Sequence, residues 1–505
     1  MVPSYGRIDS SRPDAVGVHG FLAFDLGAES GRAIFGSLGE ERLETREVHR
    51  FRNPTATVGG RQRWDIHPLL EEIKRGMKFC VTGAGTYPES IAVDTWGVDF
   101  ALLDGNGGLL ELPRAYRDTR IDAMEQFFEK VPRERVYMLT GIQTMPFNTL
   151  YQLFALKVDE PSLLEAASDL LFMPDLFDYL LTGVKKSEFT FATTSQLYNP
   201  LKGDWDDELF EALRVSKRLM QAVVAPGTVI GNLTRDVASE TELGIIPVVA
   251  TASHDTAAAV AAVPAGGEDW AFISSGTWSL VGVETTVPIM TGEAMRLNFT
   301  NEGGAGGTFR FLRNVMGLWL LQGCRKAWES KGPRTYDEII EMAASAQPFA
   351  AIIDPDCVDF LNPPDMPEAI RAFCVRTGQE APDSPGGIAR CVLEGLALRY
   401  REVLEQLRSA SARPINRIHV VGGGSLNRLL CQFTADATGL PVVAGPIEAT
   451  AVGNIMVQAM ALGYVSSLDE IRDVVRRSFE VETYEPGKTG RWDEAYACFK
   501  NGVRS

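Results

Sequence analysis

One pattern occurs twice in this chain and restricts the folds open to it more than any other feature. Phe21-Leu22-Ala23-Phe24 runs into Asp25-Leu26-Gly27-Ala28-Glu29-Ser30-Gly31, and Ala33-Ile34-Phe35 then resumes the apolar run. Far downstream the design returns: Trp270-Ala271-Phe272-Ile273, then Ser274-Ser275-Gly276-Thr277, then Trp278-Ser279-Leu280-Val281. Each reads as strand, glycine-bounded turn, strand. Two hairpins of one design suggest two domains of related topology and an old duplication.

Further buried strands follow the same logic. Ile91-Ala92-Val93-Asp94 ends on a carboxylate, Ile246-Pro247-Val248-Val249-Ala250 runs into Ser253-His254-Asp255-Thr256, and Ile418-His419-Val420-Val421 leads into Gly422-Gly423-Gly424. Ile388, Val392, Leu396, Val403 and Leu407 recur at helical spacing, with Glu402, Glu405 and Arg408 expected to face outward. The run Met316-Gly317-Leu318-Trp319-Leu320-Leu321 reads most simply as a buried helix with Arg313, Asn314 and Gln322 at its polar ends. Strands mixed with long helices place the chain in the α/β class. A turn-rich stretch, Pro264-Ala265-Gly266-Gly267, marks the expected break. The domains expected are a polar and disordered leader over 1–19, a first domain over 20–263 and a second over 264–490.

Composition excludes several function classes. At 505 residues the chain is long enough for two to four domains of roughly 150 residues each. Its net charge of −17 repels phosphate backbones and anionic lipid, so neither nucleic acid nor membrane is an expected partner. No stretch approaches the ~18 apolar residues of a membrane span, and residues 1–19 lack the apolar segment of a signal peptide. The 7 cysteines are scattered singly, which points to a reducing cytoplasm and away from a disulfide framework. Cys374 and Cys391 are near enough in sequence to meet, and nothing in the sequence decides whether they do. The 5 histidines form no metal-ligating pair.

The chemistry-bearing residues cluster at strand ends. Three glycine-rich turns, Gly27–Gly31, Ser274–Thr277 and Gly422–Gly424, each follow an apolar strand. Successive N–H groups in such turns form concave nests for phosphate oxygens, although hairpins also need glycine for conformational reasons alone. None is a Walker A loop or a GxGxxG fingerprint. Asp25, Asp94 and Asp255 end or follow apolar runs, and phosphoryl transfer to a hydroxyl needs one carboxylate to orient Mg²⁺ and another to accept the proton. Asp255 is the best base candidate because His254 and Thr256 flank it and can hydrogen-bond a polyol. Trp96 and Gly97, between Asp94 and Asp99, offer a flat ring and a bare backbone to a sugar; a core tryptophan explains the ring equally well. Arg114, Arg117 and Arg120 around Tyr116 and Asp118 read as a solvated helix start or an anion site.

Taken together, FDLGAESGR (24–32), SHDT (253–256), SSGTWS (274–279) and VGGGSLN (421–427) resemble the sugar kinases of the FGGY family. Longer segments extend the likeness over nearly the whole chain: DTWGVDFALLD (94–104), AYRDTR (115–120), GIQTMPFNTLYQL (141–153), MPDLFDYLLTG (173–183), ATTSQL (192–197), TNEGG (300–304), RNVMGLWLLQ (313–322) and AGPIEATAVGN (444–454). Within the family they resemble the members that phosphorylate L-rhamnulose at O1 in L-rhamnose catabolism.

The resemblance implies two actin-like (ribonuclease H-like) ATPase domains with a cleft between them. ATP and Mg²⁺ are the implied cofactors and a ketose the implied substrate, in a cytoplasmic monomer or small homo-oligomer. It implies that Asp255 is the catalytic base and Asp25 the Mg²⁺-orienting carboxylate. Ala28, Ser30, Gly31 and Arg32 would form the first phosphate loop, with Thr277, Gln322, Gly423 and Gly424 also on the nucleotide, Asn427 nearby, and Gly97, His254, Thr256 and Asn314 lining the ketose pocket. Glu29 receives no phosphate contact and either faces outward or helps hold the metal. Two alternatives stay open: a kinase for L-fuculose, L-xylulose, L-ribulose or another polyol, and a non-catalytic nucleotide-gated binder of the same fold.

Overall fold

Strand His19–Leu26 shows why the sequence pattern folds as it does. Its alternate side chains go to two different cores: Phe21 and Ala23 to one, Leu22, Phe24 and Leu26 to the other. A strand covered on both faces must be apolar throughout, which is why this run is continuous rather than alternating. The computed structural model describes residues 17–84, 87–116, 122–329, 332–487 and 489–502. Residues 1–16 of the expected leader lie outside the described residues, and His19, counted in that leader, already belongs to the first strand.

Two large sheets carry the fold. The first orders Thr228–Asn232, Pro247–Ala250, Ser90–Thr95, His19–Leu26, Ser30–Leu38 and Leu43–Arg52. The second orders Thr300–Gly303, Phe309–Met316, Trp278–Thr285, Trp270–Ser275, Arg417–Val421, Val442–Ala444 and Glu482–Tyr484. Each holds an antiparallel meander whose first strand pairs in parallel with a strand reached by a crossover. His19–Leu26 pairs with Ser90–Thr95, and Trp270–Ser275 with Arg417–Val421. The duplicated hairpin of the sequence is thus a duplicated sheet topology.

Between the sheets lie two helices, Asp255–Ala261 and Ala449–Ala461. Their core joins Phe21, Ala23 and Ile34 from the first sheet to Trp270, Phe272 and Leu280 from the second. The first helix is nearly all alanine and valine after Thr256, because larger side chains would hold its partner helix away. Helix Ile66–Ala84 covers the other face of the first sheet, and a helical layer within residues 122–220 builds a further core around Phe127, Tyr151, Phe172 and Phe191.

Three local expectations are corrected. Met316–Leu321 is not one helix: the strand runs to Met316, Gly317 and Leu318 turn, and the helix is Trp319–Trp328. The break is forced by contact with the 276–278 turn, since Leu318 N donates to the Gly276 carbonyl at 3.0 Å and a Cβ on Gly317 would lie 2.6 Å from the Trp278 backbone. Glu402 does not face outward from helix Pro385–Ser411; it is buried and paired with Arg399, which also reaches Asp354. Arg114 is no solvated helix start, being buried between Glu111 and Glu160 at 2.7 Å from each. Arg117, Asp118 and Arg120 lie outside the described residues.

Candidate active site

Parallel strands end their apolar runs at one edge, and the loops leaving that edge are where polar groups and bare backbone can gather. Here the loops after strands 19–26, 90–95, 247–250, 270–275, 417–421 and 442–444 all open on one cavity of ≈ 440 Å³ between the sheets. Of the residues expected in a site, Asp25, Ala28, Arg32, Gly97, His254, Asp255, Thr256, Thr277, Asn314 and Gly423 line it. Segments from Asp25 to Thr450 therefore converge on a single volume.

Asp255 opens helix Asp255–Ala261, so its carboxylate sits at the positive end of a short helix rather than on a strand end. Its Oδ1 accepts from the Thr256 backbone N–H at 2.6 Å and from Thr256 Oγ1 at 3.2 Å. Burial and the charge of Asp25 push its pKa up to about 6. A carboxylate poised there is ionised at neutral pH yet basic enough to take a proton.

Behind it the loop is held by a buried carboxylate. Glu188 accepts from the backbone N–H groups of Thr190, Phe191 and Ser253, and Thr190 Oγ1 accepts from the His254 N–H at 3.1 Å. Asp99, the carboxylate that follows Trp96 and Gly97, supports the ring rather than the cavity. Its carboxylate accepts from the indole nitrogens of Trp64 at 2.7 Å and Trp96 at 2.9 Å, fixing the Trp96 ring at the cavity wall.

Asp25 pairs with Arg32, and Arg32 also pairs with Glu448 from the second sheet's edge. The guanidinium thus spans the cleft. Asp94 lies deeper and outside the lining; its Oδ2 accepts from Asn454 Nδ2 at 2.6 Å, and burial with the nearby Asp25 charge drives its pKa well up. Asn314 lines the cavity but gives its amide to Gln143 Oε1 at 3.0 Å. Ser30, Gly31, Gln322 and Gly424 do not line the cavity. Ser30 and Gly31 are already strand residues, Gln322 supports the turn by accepting from Thr277 Oγ1 at 3.5 Å, and Gly424 packs against Ser275. Glu29 is exposed and does not line the cavity.

The residues present fit a nucleotide and its metal. A Cβ on Gly423 would meet nothing within 4 Å, so the backbone there faces open space at the cavity. Gly422 takes a φ of +82° and a Cβ on Gly424 would fall 2.0 Å from Ser275 Oγ, so those two positions favour glycine. Asp25 supplies a hard oxygen donor at the cavity, suited to a Mg²⁺ ion that keeps most of its waters. Among the described residues no cluster of three or more acidic, histidine or cysteine side chains could cage a metal. All seven cysteines are free thiols, Cys374 and Cys391 included. Among the described residues no helix is long and apolar enough to cross a membrane.

Residue reasoning missed a polar group at the back of the cavity. Glu302 and Arg310 are direct cross-strand partners in the Thr300–Gly303 and Phe309–Met316 pair, and both are buried. Opposite charges eight residues apart in a tight hairpin were the available signal, but only the register shows that they face each other. Gln143, Asn148, Thr194 and Glu448 also line the cavity; they fall within the segments 141–153, 192–197 and 444–454 that carry the family likeness, but no site role was read for them.

Comparison with known proteins agrees with this geometry. Residues 21–262 match the N-terminal domain of the FGGY family of carbohydrate kinases, and residues 271–462 match its C-terminal domain. The chain is 50% identical to a rhamnulokinase of Bacteroides thetaiotaomicron over 96% of this chain and 99% of that protein. It is 43% identical to a rhamnulokinase of Oceanobacillus iheyensis over 92% and 97%. Its fold matches a ligand-bound xylulose kinase from Lactobacillus acidophilus (TM-score 0.80, 14% identity, covering 95% and 97%). It also matches Plasmodium falciparum glycerol kinase with ADP (TM-score 0.78, 14% identity, covering 97% and 99%).

Proposed function

The chain belongs to the FGGY family of carbohydrate kinases, and on that premise we propose that it transfers the γ-phosphate of ATP to O1 of L-rhamnulose in L-rhamnose catabolism. The observation that carries this reading is Asp255 facing the same cavity as three glycine-rich turns, in a chain half identical to a rhamnulokinase. It acts in the cytoplasm, as a monomer or small homo-oligomer, on a ketose and ATP, with a first domain over 20–263 and a second over 264–490.

Transfer to a hydroxyl asks the protein for position, charge balance and exclusion of water. Asp255 takes the O1 proton, and Gly97, His254, Thr256 and Asn314 hold the ketose beside it. Ala28, Arg32, Thr277 and Gly423 contact the nucleotide, with Ser30, Gly31, Gln322 and Gly424 shaping the turns from behind. Mg²⁺, oriented by Asp25, neutralises phosphate charge when bound. Closure of the two domains on the sugar excludes water.

The test is ADP release with Mg-ATP across a ketose panel of L-rhamnulose, L-fuculose, L-xylulose and L-ribulose. The highest kcat/KM with L-rhamnulose supports the reading. Another ketose winning overturns the substrate and leaves the kinase class. ATP binding with no sugar-dependent turnover overturns the activity in favour of a nucleotide-gated binder.

A further inference from the structure

His254 is held between Asp255 and a guanidinium that reaches it from the second sheet. Arg310 is fully buried; its Nε donates to the Gly303 carbonyl at 2.8 Å, and its Nη1 lies 3.2 Å from Glu302 Oε2. Its Nη2 lies 3.1 Å from His254 Nδ1. Glu302 Oε2 also lies 3.5 Å from Nδ1, but it already faces Arg310 Nη1 at 3.2 Å. A guanidinium carries donors and no acceptor, so against the closer Nη2 contact Nδ1 accepts. The Nδ1 lone pair is thereby used, and the one proton of the neutral ring sits on Nε2.

Two further observations bear on that proton. Nε2 is 3.4 Å from Asp255 Oδ1. In front of it stands Gly97, where a Cβ would come within 3.2 Å of Nε2, so the missing side chain is what leaves this N–H open to the cavity. A charged imidazolium would set a second N–H against the guanidinium. Burial and the Arg310 charge accordingly hold the His254 pKa well below its usual value.

From this geometry we infer that Arg310 is a positioning residue for the transfer: it fixes His254 as the Nε2–H tautomer and so aims one donor at Asp255 and at the sugar oxygen that Asp255 deprotonates. The inference rests on the base role proposed above for Asp255. A donor at that point holds the carboxylate in one orientation and stabilises the negative charge that grows on the sugar oxygen as its proton leaves. The opposite tautomer would turn a lone pair toward the carboxylate and supply neither effect. Glu302 has the supporting task of balancing the buried guanidinium.

The test begins with the intact wild-type protein labelled with ¹⁵N-histidine, the chain having only 5 histidines to resolve. His254 is assigned by its loss in His254→Gln. A pyridine-type Nδ1 with a pyrrole-type Nε2 supports the inference, and a pyrrole-type Nδ1 in an active kinase overturns it. Arg310→Met should then mix the tautomers and lower kcat about tenfold to a hundredfold, the size seen for groups that orient a reacting residue, with KM for ATP within about twofold. Arg310→Lys keeps a donor at Nδ1 and should restore the tautomer and most of kcat, even if the methionine variant fails to fold. A tautomer and kcat unchanged in Arg310→Met, or a lost tautomer with kcat unchanged, overturns the inference. A wild type with the stated tautomer that phosphorylates no ketose overturns the base role instead, and the catalytic part of this inference with it.

Discussion

Gly453 rests so closely on Ala258 that a Cβ on the glycine would fall 1.8 Å from the Ala258 carbonyl oxygen. Ala258 lies one turn into the helix that Asp255 opens, and Gly453 lies on the helix packed against it. Neighbouring residues tie the second helix to the first sheet. Asn454 reaches Asp94, and Gln458 binds Ser90 Oγ at 2.7 Å and the Leu22 carbonyl at 3.2 Å. The position of the proposed base is therefore set by a contact in which neither backbone can yield.

Gly453→Ala should consequently destabilise the protein by about 3 kcal/mol or more, or prevent folding, because an overlap against backbone cannot be relieved by a rotamer change. Urea unfolding measures this. Gly292→Ala, where a Cβ would meet nothing within 4 Å, should change stability by less than about 1 kcal/mol. Equal effects would show that the 258–453 contact does not matter.

The acid limb of kcat/KM should fall near pH 6, because Asp255 must be ionised to accept a proton and burial raises its pKa to about 6. Activity then rises with pH through that value. Asp255→Asn should lower kcat by about a hundredfold to ten-thousandfold without loss of fold. A limb near pH 4 would mean that the carboxylate is well solvated or is not the base.

Asp178 makes a prediction of the opposite kind. It is buried, its Oδ1 has no partner, and burial with the nearby Glu188 charge drives its pKa well up. Its folded pKa thus lies above its unfolded value near 3.8. The stability it contributes is present below that value and is lost as pH rises toward the folded pKa. Asp178→Asn should leave stability near pH 4 unchanged and raise it at pH 8 by about 1–3 kcal/mol. Thermal melts at the two pH values decide, and an equal shift at both would refute the titration.

Glu448 competes for the guanidinium that Arg32 would offer to a phosphate. Glu448→Gln should lower KM for ATP about twofold to fivefold, since one of two carboxylates no longer holds Arg32. A rise in KM would mean instead that Glu448 positions the arginine for the nucleotide.

Much of this was legible in the chain itself. Burial on both faces makes Phe21–Leu26 and Trp270–Ile273 short continuous apolar runs that read as strands without structural knowledge, and glycine at 27, 276 and 422–424 marks the turns that follow, although of these only Gly422 takes a positive φ. Asp255, flanked by polar residues directly after an apolar run, stood out for the same reason. Met316–Leu321 did not, because an apolar run with one glycine fits helix and strand alike, and a packing contact at Gly317 chooses between them.

The sequence by itself determined the duplicated strand–turn–strand units, the α/β class and the residue types able to bind phosphate and take a proton, since each follows from local periodicity and backbone freedom. Where each carboxylate lies, and against which partner, came from tertiary packing. Asp25, Asp94, Asp99 and Asp255 all follow or sit within apolar runs, yet one lines the cavity paired with an arginine, one is buried against Asn454, one holds two indoles and one opens a helix at the cavity. Their roles depend on burial and on partners as far away as the 360 residues between Asp94 and Asn454, and local sequence carries no information about such contacts.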